Sequence, residues 1–273
     1  MRNILKPLAL AGLVAFIFSA CKKEAKEIPQ QEEISAEALS QIKGLGFSTQ
    51  NVKKVDEGYL VEGDIVLTDE LLNSTPEQSL LRIAGNEQYR TTNLVTKLPR
   101  TITVLVSGLG SAFVQGTDLA IGRYNALGLR IKFQRITSGR ANITIQGFNQ
   151  APSGGYITLG SAGFPSRKGD PYTTIKMNTN QYAYGSNPNV SYVGSVIQHE
   201  LGHCIGFRHT DYMDRSFSCN GAYANEGASN IGAIHIPGTP TRADANSWML
   251  ACSSGGDQTF NSNDKIALNY LYK

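Results

Sequence analysis

Charge of either sign is scarce in this chain: 17% of its 273 residues are Asp, Glu, Lys or Arg, and the formal net charge is only +3. No dense Lys/Arg block with interleaved aromatics follows residue 27, so nucleic-acid binding has no electrostatic footprint. No repeat of fixed period is present, which argues against solenoids and coiled coils. Cysteine numbers only four, with no C-x-x-C spacing, which disfavours a cysteine zinc site. After the first twenty residues no apolar run is long enough to span a membrane. What is present, 41% apolar residues, is enough to bury one substantial core and a small accessory segment.

Arg2 and Lys6 precede an apolar run from Pro7 to Phe18 that is too short to cross roughly 30 Å of hydrocarbon. Residues 1–20 therefore read as a signal peptide. Its end, Phe18-Ser19-Ala20-Cys21, resembles the lipobox of bacterial lipoproteins, in which the cysteine becomes the acylated first residue. The alternative is ordinary signal cleavage followed by an incidental cysteine. Acyl chains on Cys21 would anchor the chain, each buried methylene adding ~0.8 kcal/mol. Residues 21–33 are charged and lack apolar periodicity, as a tether would. Cys204, Cys219 and Cys252 remain, an odd set in an exported protein; one disulfide and one free thiol is the simplest expectation, and three pairings stay open.

Order is expected from Ile34, where Ser35 can cap a short helix that Gly44 ends. Residues 58–68 alternate like two extended pieces joined by a turn at Glu62-Gly63-Asp64, with a second short helix after Thr68. From Arg100 the pattern changes. The β-branched run at 101–106 predicts a strand, Thr117 to Leu127 a helix stopped by Gly128, and 131–136 and 141–148 two further strands. The glycine-rich stretch from Pro152 to Pro171 reads as a loop at a functional edge, followed by a strand near 173–178. Ser191 can cap a helix carrying Val193, Ile197, Leu201 and Cys204 on one stripe, ended by Gly206. A loop-rich segment then runs to about Met249, and a last helix is capped by Ser262 or Asn263.

The run from His199 to His209 matches H-E-x-x-H-x-x-G-x-x-H at every fixed position. Four residues along a helix advance the side chain by about 400°, so His199 and His203 fall one turn apart on one side. Gly206 permits a sharp departure that could swing His209 to the same metal. Three imidazoles with an open fourth position describe a catalytic Zn2+ site. Glu200 points elsewhere and is the expected general base for a zinc-activated water. Three of only four histidines lie within these eleven residues, which makes coincidence a poor account. His235, the fourth, reads as a loop surface residue, with substrate binding as its alternative role.

At this motif the sequence resembles the metzincins, and the HELGHCIGFRHTD run looks like the bacterial dual-action HEIGH metallopeptidases, relatives of the astacins. The resemblance covers roughly Leu60 to the C-terminus. It implies a Met-turn beneath the zinc, matched by Met249 rather than by Met213, which lies too close to His209. Astacins carry a tyrosine two residues after that methionine; here Ala251 stands there, and Tyr212, Tyr223 or a water is left to stabilise the oxyanion. Val61-Glu62-Gly63-Asp64-Ile65 is similar to the F-x-G-D motif of astacin propeptides, with Val61 in the aromatic's place, which makes Asp64 a candidate latency ligand. An aspartate after glycine is also an ordinary turn residue.

The expected organisation is a signal peptide (1–20), a tether (21–33), a prosegment or accessory segment (34–90) cleaved around Asn86 to Thr92, and a catalytic domain (91–273). The fold expected is α+β and zincin-like, a twisted mixed sheet with an active-site helix, a cleft along the edge strand and a loop-rich C-terminal subdomain. The function expected is a zinc-dependent endopeptidase of a bacterial cell-envelope lipoprotein, a monomer acting on extracellular proteins or peptides at the outer membrane or cell surface. The alternatives are a zinc-bearing surface lipoprotein for adhesion or binding, and a zinc amidase.

Overall fold

Short polar caps and alternating apolar residues organise the N-terminal part. The computed structural model describes residues 33–73, 88–220, 225, 232–240 and 243–273. Helix α1 (Ala36–Gly44) starts where the Ser35 side chain accepts a bond from Ala38 N at 3.1 Å. Strands β1 (Lys53–Val55), β2 (Gly58–Val61) and β3 (Ile65–Thr68) form an antiparallel meander. Thr68 then caps α2 (Asp69–Leu72). These elements close over their own apolar cluster, among them Ile42, Phe47, Val61, Ile65 and Leu67. Its one member from far along the chain is Phe164.

A second, larger cluster begins at Val95 and contains no residue of this N-terminal module. It fills the space between a five-stranded sheet and the helices that back it. After β4 (Tyr89–Arg90) come β5 (Arg100–Ser107), α3 (Ser111–Asn125), β6 (Ile131–Ile136), β7 (Ile143–Phe148), β8 (Gly160–Ser161) and β9 (Thr174–Asn178). The sheet order is β6-β5-β7-β9-β8, parallel except for β8, which runs antiparallel to β9 at the edge. Next follow α4 (Gln181–Tyr184), α5 (Val190–Ile205), α6 (Ser216–Cys219), β10 (Ile234–His235) and α7 (Ser262–Tyr272). The result is the expected α+β fold, a mixed sheet backed by α3 and α5 and followed by a loop-rich C-terminal part. Among the described residues no helix is long and apolar enough to cross a membrane.

Four local expectations change. Helix α3 starts at Ser111, a turn and a half before the predicted Thr117, because Gly116 does not break it. A Cβ there would lie 3.0 Å from Gly194 N on α5, so the two glycines let the helices cross closely. Helix α5 is capped by Asn189, not Ser191, and α7 by Asn261, whose side chain forms a capping box with Asp264. The glycine-rich stretch lies at the sheet edge as expected, yet it holds strand β8, and Gly160, Ser161, Ala162 and Phe164 are buried. Of the three open pairings the chain uses Cys219–Cys252, and Cys204 is a buried free thiol. Cys21, Asn86 and Tyr223 lie outside the described residues.

Candidate metal centre

Helix α5 carries His199 and His203 one turn apart, with Nε2 atoms 3.0 Å from each other. At Gly206 the backbone turns left-handed, with φ at +108°, and a Cβ there would lie 2.9 Å from Asn93 O. Only glycine suits both constraints. The departing chain is then caught by the segment around β4: Thr91 N donates to Gly206 O at 2.8 Å and Arg208 N to Tyr89 O at 2.9 Å. This directs the buried His209 back, so that its Nε2 lies 3.2 Å from that of His203.

The outer nitrogens explain the inner ones. His199 Nδ1 lies 2.9 Å from Trp248 O, and His203 Nδ1 lies 2.8 Å from Phe207 O. A carbonyl only accepts, so in both rings the proton sits on Nδ1 and Nε2 carries a bare lone pair. Lone pairs 3.0 Å apart repel and form no hydrogen bond; a cation between them removes the conflict. Tetrahedral ligands at zinc's nitrogen bond length would stand about 3.3 Å apart, close to the spacing found. Asp64 completes the group: its Oδ2 lies 3.2 Å from His209 Nε2 and 3.5 Å from His199 Nε2. The ligand atoms of these four residues all lie within 4.8 Å of one another. Burial alone would raise the Asp64 pKa, but the charge of His209 first, and then the neighbouring imidazoles, outweigh it and hold the carboxyl well below its usual range. Burial, and then the neighbouring rings of His199 and His209, push His203 well below the ordinary imidazole value.

Glu200, one residue from the first histidine, is 1% exposed, and its Oε2 has no hydrogen-bond partner among the described residues. Burial, and then the charge of Asp64, push its pKa well above that of a free carboxyl. Its other oxygen faces β8, where a Cβ at Gly160 would stand 2.7 Å from Oε1. Glycine at the edge strand is what leaves room for this carboxylate.

Met249 is fully buried and packs against the histidine helix at Gly202. A Cβ at Gly202 would come within 2.6 Å of its Sδ. Gly202→Ala should therefore destabilise the protein by about 1–3 kcal/mol through overpacking, read as a lower thermal midpoint; an unchanged midpoint would show that Met249 can move aside. The turn ties the site's two halves together, since Trp248 O receives His199 and Met249 O receives Thr210 N at 2.9 Å. Asp211 holds it from behind, accepting from Ala251 N at 2.9 Å and Ser218 Oγ at 2.6 Å. Asp264 holds it from below through Ser247 Oγ and Trp248 N.

Two other sequence candidates have their own surroundings. Tyr212 is buried with its ring edge-on to Tyr89 at 4.5 Å, beside Arg208. His235 is half-buried in β10, with Nε2 at 3.0 Å from Thr239 Oγ1. Sequence reasoning passed over Gly160, Gly202, Asp211 and the Gln88–Thr91 segment. Of these, only Gly202 and Asp211 stand inside the histidine run quoted from the sequence.

Residues 59–272 match the family of dual-action HEIGH metallo-peptidases. The chain belongs to this family. The match spans both the Asp64 turn and the histidine helix. This peptidase is a zinc metalloenzyme, and its substrates are proteins or peptides. No curated protein matches its sequence. Two solved structures of myroilysin are similar to it. One is 14% identical over 67% of this chain and 98% of that one, with a TM-score of 0.44; the other is 13% identical over 66% and 86%, with a TM-score of 0.41.

Proposed function

We propose that this peptidase is an exported, lipid-anchored endopeptidase of extracellular proteins, in which His199, His203 and His209 hold the zinc, Glu200 is the general base and Asp64 keeps the precursor latent. The observation that carries the reading is the convergence of three imidazole Nε2 atoms, those of His199 and His203 freed by carbonyl bonds at Nδ1, near a buried carboxylate with an unpartnered oxygen among the described residues. Bound zinc supplies a Lewis acid that polarises a scissile carbonyl and brings a water's pKa from 15.7 to about 7. With zinc held by the three histidines, Glu200 would take up a proton from the attacking water and return it to the departing amine. The Trp248 and Phe207 carbonyls hold the His199 and His203 rings in one tautomer and orientation. The β8 edge orients an extended peptide through main-chain bonds. Adhesion would use the histidines without a buried carboxylate, and an amidase would leave casein intact. Casein turnover that vanishes in Glu200→Ala while zinc stays bound supports the reading, and turnover that persists overturns it.

Latency is supported by how the N-terminal module lies on the cleft. Asp64 takes the position beside the three imidazoles, Ala162 N donates to Asp64 O at 3.0 Å, and Val66 N donates to Ala162 O at 2.9 Å. Glu62 meets Arg215 at 3.5 Å, and Lys176 meets Glu57 at 2.8 Å. Processing falls ahead of Gln88, at the N-terminal side of the window read from the sequence, because Gln88, Tyr89 and Thr91 are fully buried and bonded to the catalytic part. Lipidation of Cys21 is tested by cell fractionation: Cys21→Ser should move the protein out of the membrane fraction, and a variant still found there would count against the anchor.

A further inference from the structure

The module that covers the cleft also shows what the cleft accepts. Phe164 is only 4% exposed, and the apolar cluster that buries it is otherwise built entirely from the module, including Ile42, Val61, Ile65 and Leu72. On its other side the ring stands edge-on to the imidazole of His203, with centroids 5.6 Å apart and planes at 85°. Phe164 thus belongs to the module's core by packing and to the metal centre by position.

The backbone register says which part of a bound chain meets it. Ile65 pairs in parallel with Ala162 and is fully buried. Phe164 follows Ala162 by two residues, just past this pairing, and shares one apolar cluster with Ile65. A cavity already adjoins this ring, lined by Phe164, Pro165, Tyr172 and Arg167 and by Thr68, Glu70 and Leu71 of the module. Departure of the module would leave the aromatic face bare beside His203 and the Ala162 main chain free to pair again.

We propose that Phe164 is the wall of a subsite that selects substrates with a large apolar side chain within two residues of the scissile bond. The distance follows from Ile65, which adjoins Asp64, the residue at the metal centre. This inference rests on the reading of the chain as a peptidase released from its module. The processed enzyme is suited to the test, because the larger core cluster contains no residue before Val95.

The experiment is a peptide-library digest by the zinc-loaded, processed wild type, Phe164→Ala and Phe164→Leu, with cut sites read by mass spectrometry and zinc content measured alongside. The wild type should favour Leu, Ile, Phe or Met over Gly or Asp by about tenfold or more in kcat/KM at one position within two residues of the cut. Phe164→Ala should reduce that preference to about threefold or less, mainly through KM and with zinc retained, while Phe164→Leu keeps most of it. A flat profile from an active wild type overturns the subsite whether or not Phe164→Ala folds, as does an unchanged profile in Phe164→Ala. No cleavage of any peptide by zinc-loaded wild type removes the peptidase reading itself, and the subsite with it.

Discussion

The processed Glu200→Ala enzyme should turn over casein about 10²–10⁴-fold more slowly than wild type, the range that a positioned general base contributes. Glu200→Gln should fall as far, since the amide keeps the shape and loses the basic oxygen. Zinc content should stay at the wild-type level in both, because His199, His203 and His209 remain in the processed enzyme and Glu200 is not among the ligand atoms that converge. Stability should not fall with activity. The carboxyl group is 1% exposed with an unpartnered oxygen among the described residues, so removing it relieves an unsatisfied buried polar group rather than breaking a bond. Turnover within about threefold of wild type would assign the proton transfer to another group. Loss of zinc together with activity would instead make Glu200 a structural support of the centre.

Unprocessed Asp64→Ala should hydrolyse a small chromogenic peptide about 10–100-fold faster than the unprocessed wild type. A hydrogen bond to a charged group contributes about 1.5–3 kcal/mol, and each 1.4 kcal/mol is tenfold in the open population. The gain should be larger for a small peptide than for casein. The module still pairs with Ala162 and still shares its apolar cluster with Phe164, so bulky substrates stay excluded. Asp64→Asn should fall between, keeping the shape and losing the charge. The measurement is initial rate against intact precursor, with integrity followed on a denaturing gel. An Asp64→Ala precursor as inert as wild type would place latency in the strand pairing and the apolar cover rather than in the carboxylate.

The histidine helix was legible because its information is local. A four-residue spacing sets His199 and His203 on one side of any helix, and Gly206 marks where the helix must end. The Asp64 turn was legible for a similar reason: Glu62-Gly63-Asp64 is a polar, glycine-bearing break between two apolar runs, and the chain turns there with Glu62 and Gly63 at positive φ. The start of α3 was not legible, because Gly116 serves a close crossing with Gly194 that local sequence does not show. Gly160 misled, since its stretch looked too glycine-rich for a strand, while the missing side chain is the room Glu200 occupies.

By itself the sequence determined the donor chemistry of the centre, the order of its elements and the two glycines at Gly63 and Gly206 that bend the chain, because these depend on residue type and short spacing. Only the tertiary structure decided which carbonyls set the imidazole tautomers, that β4 returns from far upstream to aim His209, and that Phe164 shares its core with the module that hides it. Apart from the local His203–Phe207 bond, those contacts join residues tens to more than a hundred positions apart. Packing and hydrogen bonding select them from many pairings that local propensity leaves equivalent.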